Sequence, residues 1–179
     1  FNPGTIVPTS SNSGVIARQL DKKFAIESAV YFDVDQKISD KFSINYGLRH
    51  SHFIRLGEQL INIYANNQAV VYNSDAKIYE KATPIGTKFY GKNKTIANFN
   101  NLEPRLALTF AFDDHQSFKA SYNRMSQYLH LISNTSSPTP LDIWAPSDNF
   151  FKPQILDQFA IGYFKNFSDD NYSIEIESF

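Results

Sequence analysis

The sequence has no cysteine. That excludes a disulfide-stapled scaffold and a thiolate metal centre, and it leaves the redox compartment open. Long apolar runs are also missing. No stretch approaches the ~18 unbroken apolar residues of a membrane-crossing helix, so helical spanning is excluded. A transmembrane barrel is not excluded, because its strands alternate and its mean hydropathy resembles that of a soluble protein. Neither sign of charge dominates: 17 Lys and Arg stand against 18 Asp and Glu, a formal net charge of −1. No bulk attraction to nucleic acid or to an anionic surface follows from that balance. Methionine and tryptophan occur once each, whereas there are 16 Phe and 10 Tyr. This aromatic load suits β-structure and interfacial girdles. The 179 residues suffice for one ordinary domain with a sizeable core. The chain opens at Phe1 without an initiator Met and stops inside the strand-like "YSIEIESF", so a piece of a longer protein is expected.

The stretch "LALTFAFDDHQSFKASYNR", residues 106–124, shows the dominant pattern. Leu106, Leu108, Phe110 and Phe112 share one side, and Ala107, Thr109 and Ala111 the other. After a tight turn, Phe118, Ala120 and Tyr122 alternate with Lys119, Ser121 and Asn123. Period-two alternation on both sides of a turn is a β-hairpin with one greasy face and one small or polar face.

The same pattern recurs. A strand is expected over about 23–38, with Phe24, Ile26, Val30, Phe32, Val34 and Ile38 on one face. After the turn Ser39-Asp40-Lys41, Phe42, Ile44, Tyr46 and Leu48 alternate with Ser43, Asn45, Gly47 and Arg49. A last pair places Phe159, Ile161 and Tyr163, then Tyr172, Ile174 and Ile176, around the turn Ser168-Asp169-Asp170-Asn171. Between these hairpins lie long irregular spans, about 1–22, 54–101 and 126–155, against short turns at 39–41, 113–116 and 168–171. Short hairpins fit within 54–101, and Pro138, Pro140, Pro146 and Pro153 break regular structure in the third span.

Two all-β folds compete for this pattern. In a soluble sandwich the greasy face is the core. In an antiparallel up-and-down transmembrane β-barrel it meets lipid. Three features favour the barrel. The clear strands hold about 9–12 alternating residues, right for a tilted crossing and longer than the usual 5–6. Aromatics flank every short turn: Phe42, Phe112 with Phe118, and Phe167 with Tyr172. The opposite face is rich in Ala, Gly, Ser, Thr and Asn, where a solvated sheet surface would carry more Lys and Glu. The chain then supplies about six strands of one barrel domain. At least eight are needed to close one, so the rest belongs to sequence outside this chain.

Candidate chemistry is sparse, and no catalytic residue, metal site or cofactor is expected. His50 and His52 share a face and could ligate a metal, but they have no third ligand nearby, and they read as interfacial histidines at the outer rim. Asp113-Asp114 and Asp169-Asp170 sit in turns, where Asp side chains accept local backbone N–H groups. Glu175 and Glu177 read as wall polarity. Neither His115 nor His130 has a nucleophile signature beside it. Ligand-contacting candidates are the loop residues Tyr128, His130, Trp144, Phe150 and Phe151, whose rings can stack on a bound molecule.

The segments "LEPRLAL", "ASYNRMSQYLHLISN" and "LDIWAPSDNFFKPQ" before "DQFAIGYFKNF" resemble TonB-dependent outer-membrane receptors of the Bacteroidetes type, and more narrowly the subgroup with an N-terminal carboxypeptidase-like regulatory domain. The likeness is good over about 80 residues, and 24–53 fits the same layout more loosely. It implies a 22-stranded barrel in the outer membrane of a Gram-negative bacterium, with a plug and a TonB box outside this chain. The implied activity is energised uptake of a bound ligand rather than catalysis, with the ligand (glycan, peptide, siderophore or protein) held between outer loops and plug. The implied partners are the TonB complex through the plug segment, outer-membrane lipid, the ligand, and a surface lipoprotein or other outer-membrane protein over the long loops, with no nucleic acid. The rival functions are a passive porin-like or structural barrel, distinguished by lacking plug and TonB box, and a secreted β-sandwich binding module, distinguished by solubility without detergent.

Overall fold

The structure, a computed structural model, describes residues 5–6, 18–19, 22–132, 143–167 and 172–179. Alternating β-branched and aromatic side chains put most of this chain into extended backbone. The strands are β1 (Thr5–Ile6), β2 (Arg18–Gln19), β3 (Phe24–Lys37), β4 (Phe42–Leu56), β5 (Gln59–Ile63), β6 (Val70–Asn73) and β7 (Ile78–Lys81). They continue as β8 (Gly86–Tyr90), β9 (Thr95–Asp113), β10 (Gln116–Gln127), β11 (Leu129–Ile132), β12 (Ile143–Pro146), β13 (Gln154–Asn166) and β14 (Ser173–Ser178). Six of them form one antiparallel sheet in the order β14-β13-β10-β9-β4-β3. This is the expected up-and-down meander, left open in this chain.

Strand limits differ from the sequence reading in instructive ways. The strand expected over 23–38 is β3, Phe24–Lys37. Its partner β4 runs past Leu48 to Leu56. His50 and His52 interrupt the greasy alternation there without ending the backbone ladder, because pairing with neighbouring strands holds the ladder. For the same reason β9 begins at Thr95, inside an Asn-rich stretch with no apolar period. The span 54–101 also contains β5 paired with β8 and β6 paired with β7, and 126–155 contains β11 paired with β12. The turn at 168–171 lies outside the described residues, as do Pro138, Pro140 and most of 1–22.

Turn chemistry follows the residues. The Asp113 carboxylate accepts the His115 backbone N–H at 2.8 Å and the Gln116 side-chain amide at 3.0 Å. A bulge between Gln116 and Ser117 follows. At the other short turn, Ser39 Oγ accepts the Phe42 N–H at 3.1 Å.

The chain divides into two compact units. The sheet unit comprises Ser28–His52, Asn100–Gln127 and Gln154–Phe179. Its register sets Phe118 between Phe110 and Tyr163, Ala120 between Leu108 and Ile161, and Tyr122 between Leu106 and Phe159. This continuous apolar face is open: Val30 is 70 % exposed, Phe159 68 %, Ile161 55 % and Phe32 55 %. On the other face Ser121 lies between Ala107 and Ala160, and Asn123 between Arg105 and Gln158. There the buried Glu103 carboxylate accepts from Arg49 at 2.9 Å and from Ser51 at 2.6 Å. Gly47 permits close approach on that face, since a Cβ would lie 2.6 Å from Asp33 Oδ1 and 2.7 Å from the Phe32 carbonyl oxygen.

The loop unit comprises Phe1–Glu27, Phe53–Phe99 and Tyr128–Pro153. Among the described residues, the buried hydrophobic side chains all belong to it: Phe53, Tyr64, Ile96, Ala97, Tyr128 and Ala145. The sheet's greasy face is therefore not the core of this chain.

Candidate functional site

Within the loop unit, three short segments bring aromatic rings together. The end of β4 supplies Phe53, stacked on Tyr128 with centroids 4.8 Å apart and planes 1° from parallel. Such a pair adds about 1 kcal/mol beyond the area it buries. The buried Arg55 donates to the carbonyls of Phe24 and Leu56 and to the Gln59 amide oxygen, with no carboxylate contact among the described residues.

The segment after β12 is shaped by Asp148. Its Oδ1 accepts the backbone N–H groups of Phe150 and Phe151, each at 2.9 Å, and the Asp148 N–H donates to the Phe151 carbonyl at 2.8 Å. This compact turn presents two adjacent phenyl rings. Phe150 meets the buried Tyr64 edge-on at 5.4 Å, and Phe151 meets His130 edge-on at 4.8 Å. The β6–β7 hairpin supplies a second aromatic pair. Asn73 Oδ1 accepts the N–H groups of Asp75 at 3.0 Å and Ala76 at 3.1 Å, Lys77 takes a left-handed φ of 55°, and the strands return in register. Tyr72 and Tyr79 thus lie directly opposite, with rings 5.1 Å apart.

Tyr72, Tyr79, Phe150 and Phe151 line one open groove of about 810 Å³, with Asn67, Gln68, Asn149 and Lys152 among its polar members. Ring faces combined with amides suit a neutral ligand that has apolar faces and hydrogen-bonding edges. Of the residues singled out from sequence, Phe150 and Phe151 line this groove. Tyr128 and His130 are buried, at 3 % and 2 % exposure. Trp144, on β12 opposite Leu131, is exposed but lies outside the lining. Sequence reading missed Tyr72 and Tyr79. Their signal was "VVYNSDAKIYE", two short β-rich runs around an Asn-Ser-Asp turn.

His130 packs edge-on against Phe151, a groove residue. Its Nε2 lies 2.8 Å from Ser147 Oγ, while Nδ1 has no partner among the described residues. Ser147 is fully buried and among the described residues no acid orients the imidazole, so the pair lacks the access and the third member of a nucleophilic triad. Burial alone lowers the His130 pKa below the usual 6.5, with no charged group contributing. The sign of the pH dependence follows. Below about pH 6.5 the unfolded imidazole takes a proton that the folded one resists, so folding stability falls as pH falls. It levels off once the folded ring also titrates. Limited proteolysis of the loop unit is expected to accelerate between pH 7.5 and 5, and His130→Gln should remove that part of the acceleration.

The sheet unit has its own open cavity of about 680 Å³ on the polar face, lined by Tyr31, Asp33, Asn45, Arg49, Arg105 and Asn123 among others. Both charge signs meet there, with Asn45 Nδ2 donating to Asp33 Oδ2 at 3.1 Å.

Comparison with known proteins gives one family. A search of curated proteins and a search of solved structures both returned no match. The family model described as TonB dependent receptor-like, beta-barrel matches residues 2–179. The open antiparallel meander, its uncovered apolar face and this match agree, and the chain belongs to the TonB-dependent receptor β-barrel family, an outer-membrane receptor and transporter family of Gram-negative bacteria.

Proposed function

We propose that this chain is part of the wall and outer loops of a receptor that takes up a bound ligand across the outer membrane, energised through the TonB complex. The observation that carries this reading is the greasy sheet face. It is broad and exposed, while the buried hydrophobic side chains of the described residues lie in the other unit. A soluble sheet would cover such a face, whereas a barrel turns it to lipid. The polar face, with its mixed-charge cavity, becomes the inner wall against a plug. The long spans at 1–22, 54–101 and 126–155 are outer loops, and the turns at 39–41, 113–116 and 168–171 face the periplasm. The resemblance of the segments quoted above supports a receptor of the Bacteroidetes-type subgroup with a regulatory domain.

Outer-membrane fractionation of the native full-length protein, with gel mobility compared before and after boiling, tests the barrel. A shift on boiling supports a closed barrel, and a soluble protein without the shift overturns it. The aromatic groove is the ligand contact of this part of the receptor. Ligand retained by the purified full-length protein, counted by mass spectrometry, is expected to fall about tenfold in Tyr79→Ala and Phe151→Ala, as loss of a stacking ring in a pocket predicts. Unchanged retention in both would remove the groove from the ligand path.

A further inference from the structure

The greasy face is not apolar throughout. Arg124 and Asp157 are register partners on it, following Phe118, Ala120 and Tyr122 on β10 and flanking Phe159 and Ile161 on β13. Arg124 Nε donates to Asp157 Oδ1 at 2.6 Å and Nη2 to Oδ2 at 2.9 Å, while the Tyr122 hydroxyl donates to Oδ1 at 2.7 Å. Both charged side chains are exposed, at 42 % and 39 %. Among the described residues Arg124 Nη1 makes no hydrogen bond, so its two N–H donors point away from the pair. His50 and His52 occupy the same face of β4 after Phe42, Ile44, Tyr46 and Leu48.

The geometry points to a binding site for the phosphate of an outer-leaflet lipid headgroup, built by Arg124 on the frame of Asp157 and Tyr122. The inference rests on the reading that this face meets the bilayer. Height above the short turns carries it. At about 3.3 Å per residue, Arg124 lies ~30 Å along its strand from His115 in the turn, His50 ~30 Å from Lys41, and Asp157, the register partner of Arg124, ~33 Å from Phe167. A strand tilt of about 40° turns these into heights of ~23, ~23 and ~25 Å, against an apolar band about 25 Å tall. The polar residues therefore stand at the far rim of the hydrocarbon, where ions are solvated by headgroups. The bidentate pair fixes the guanidinium plane and leaves Nη1 to take a phosphate oxygen, a charge-assisted contact suited to arginine.

Full-length receptor is tested in two ways. Native mass spectrometry counts bound lipid after incubation with a glycerophospholipid, a phosphorylated glucosamine lipid, or inorganic phosphate. Wild type retains one or both lipids, Arg124→Gln retains about tenfold less, and Asp157→Asn retains more, since the guanidinium loses its internal counter-ion. Which lipid is retained names the source. Equal retention in all three proteins, or displacement of lipid by inorganic phosphate alone, overturns the site. Spin labels at Ala120→Cys and Ser126→Cys then report depth in vesicles. Oxygen access at 120 with aqueous nickel access at 126 is expected. Oxygen access at both buries Arg124 in hydrocarbon and overturns the headgroup site while the barrel stands. Nickel access at both removes the bilayer from this face, and the receptor reading fails with it.

Discussion

Arginine in place of Ile161 is expected to lower barrel stability by about 2–4 kcal/mol, the cost of a cation on the lipid face near mid-depth. Ile161 is 55 % exposed, pairs with Ala120, and lies midway between Asp157 and the Asn166 end of β13. The control is Ser121→Arg, on the opposite face beside the polar cavity, with an expected cost of about 1 kcal/mol or less. Equilibrium unfolding in vesicles, read by loss of the heat-modifiable band, measures both. A third variant separates lipid from a protein core. In a bilayer Ile161→Asp costs less than Ile161→Arg. A core gives no such order, because both buried charges go unpaired there. Equal or reversed costs for the two would argue that Ile161 packs against protein.

The second large effect concerns the inner wall. Glu103 is 1 % exposed and its two oxygens accept from Arg49 and Ser51. Glu103→Ala removes the carboxylate to which both donate, and the expected loss is about 3 kcal/mol, the low end for breaking a buried pair because Arg49 is partly solvated. Glu103→Gln keeps an acceptor for Ser51 and should recover a good part of it. A double-mutant cycle with Arg49→Met gives the coupling directly. A loss below 1 kcal/mol in Glu103→Ala would show that water fills the vacated site without penalty.

Much of the sheet was legible because its signal is local. Residues i and i+2 share a face, so Leu106 to Phe112 and Phe118 to Tyr122 announce both strands and the turn between them. The signal faded toward the loop end of the sheet. His50, His52, Arg124 and Asp157 break the apolar period, and sequence reading gave His50 and His52 only a rim or metal role and passed over the ion pair on the greasy face. Its members stand on different strands, and only register joins them. The groove was half legible for a related reason. Phe150 and Phe151 are adjacent and flagged by the Asp148 turn, whereas Tyr72 and Tyr79 reach them only through the fold of the loop unit. Tyr128 and His130 carry the composition of ligand contacts but the burial of supports, a distinction no local pattern encodes.

The two-residue turn between β9 and β10 also bears on the order of folding. Its ends are neighbours in sequence and Asp113 holds the reversal, so this hairpin closes on the microsecond scale of local β-pairing. Pairing β10 with β13 requires bringing together chain separated by the whole span from Tyr128 to Pro153, which adds about 2 kcal/mol of closure entropy over a two-residue loop. Hairpins form as units and are joined afterwards. The rate of joining is set by the long spans that carry the groove, so lengthening those spans during evolution changes the groove's surface and assembly speed together.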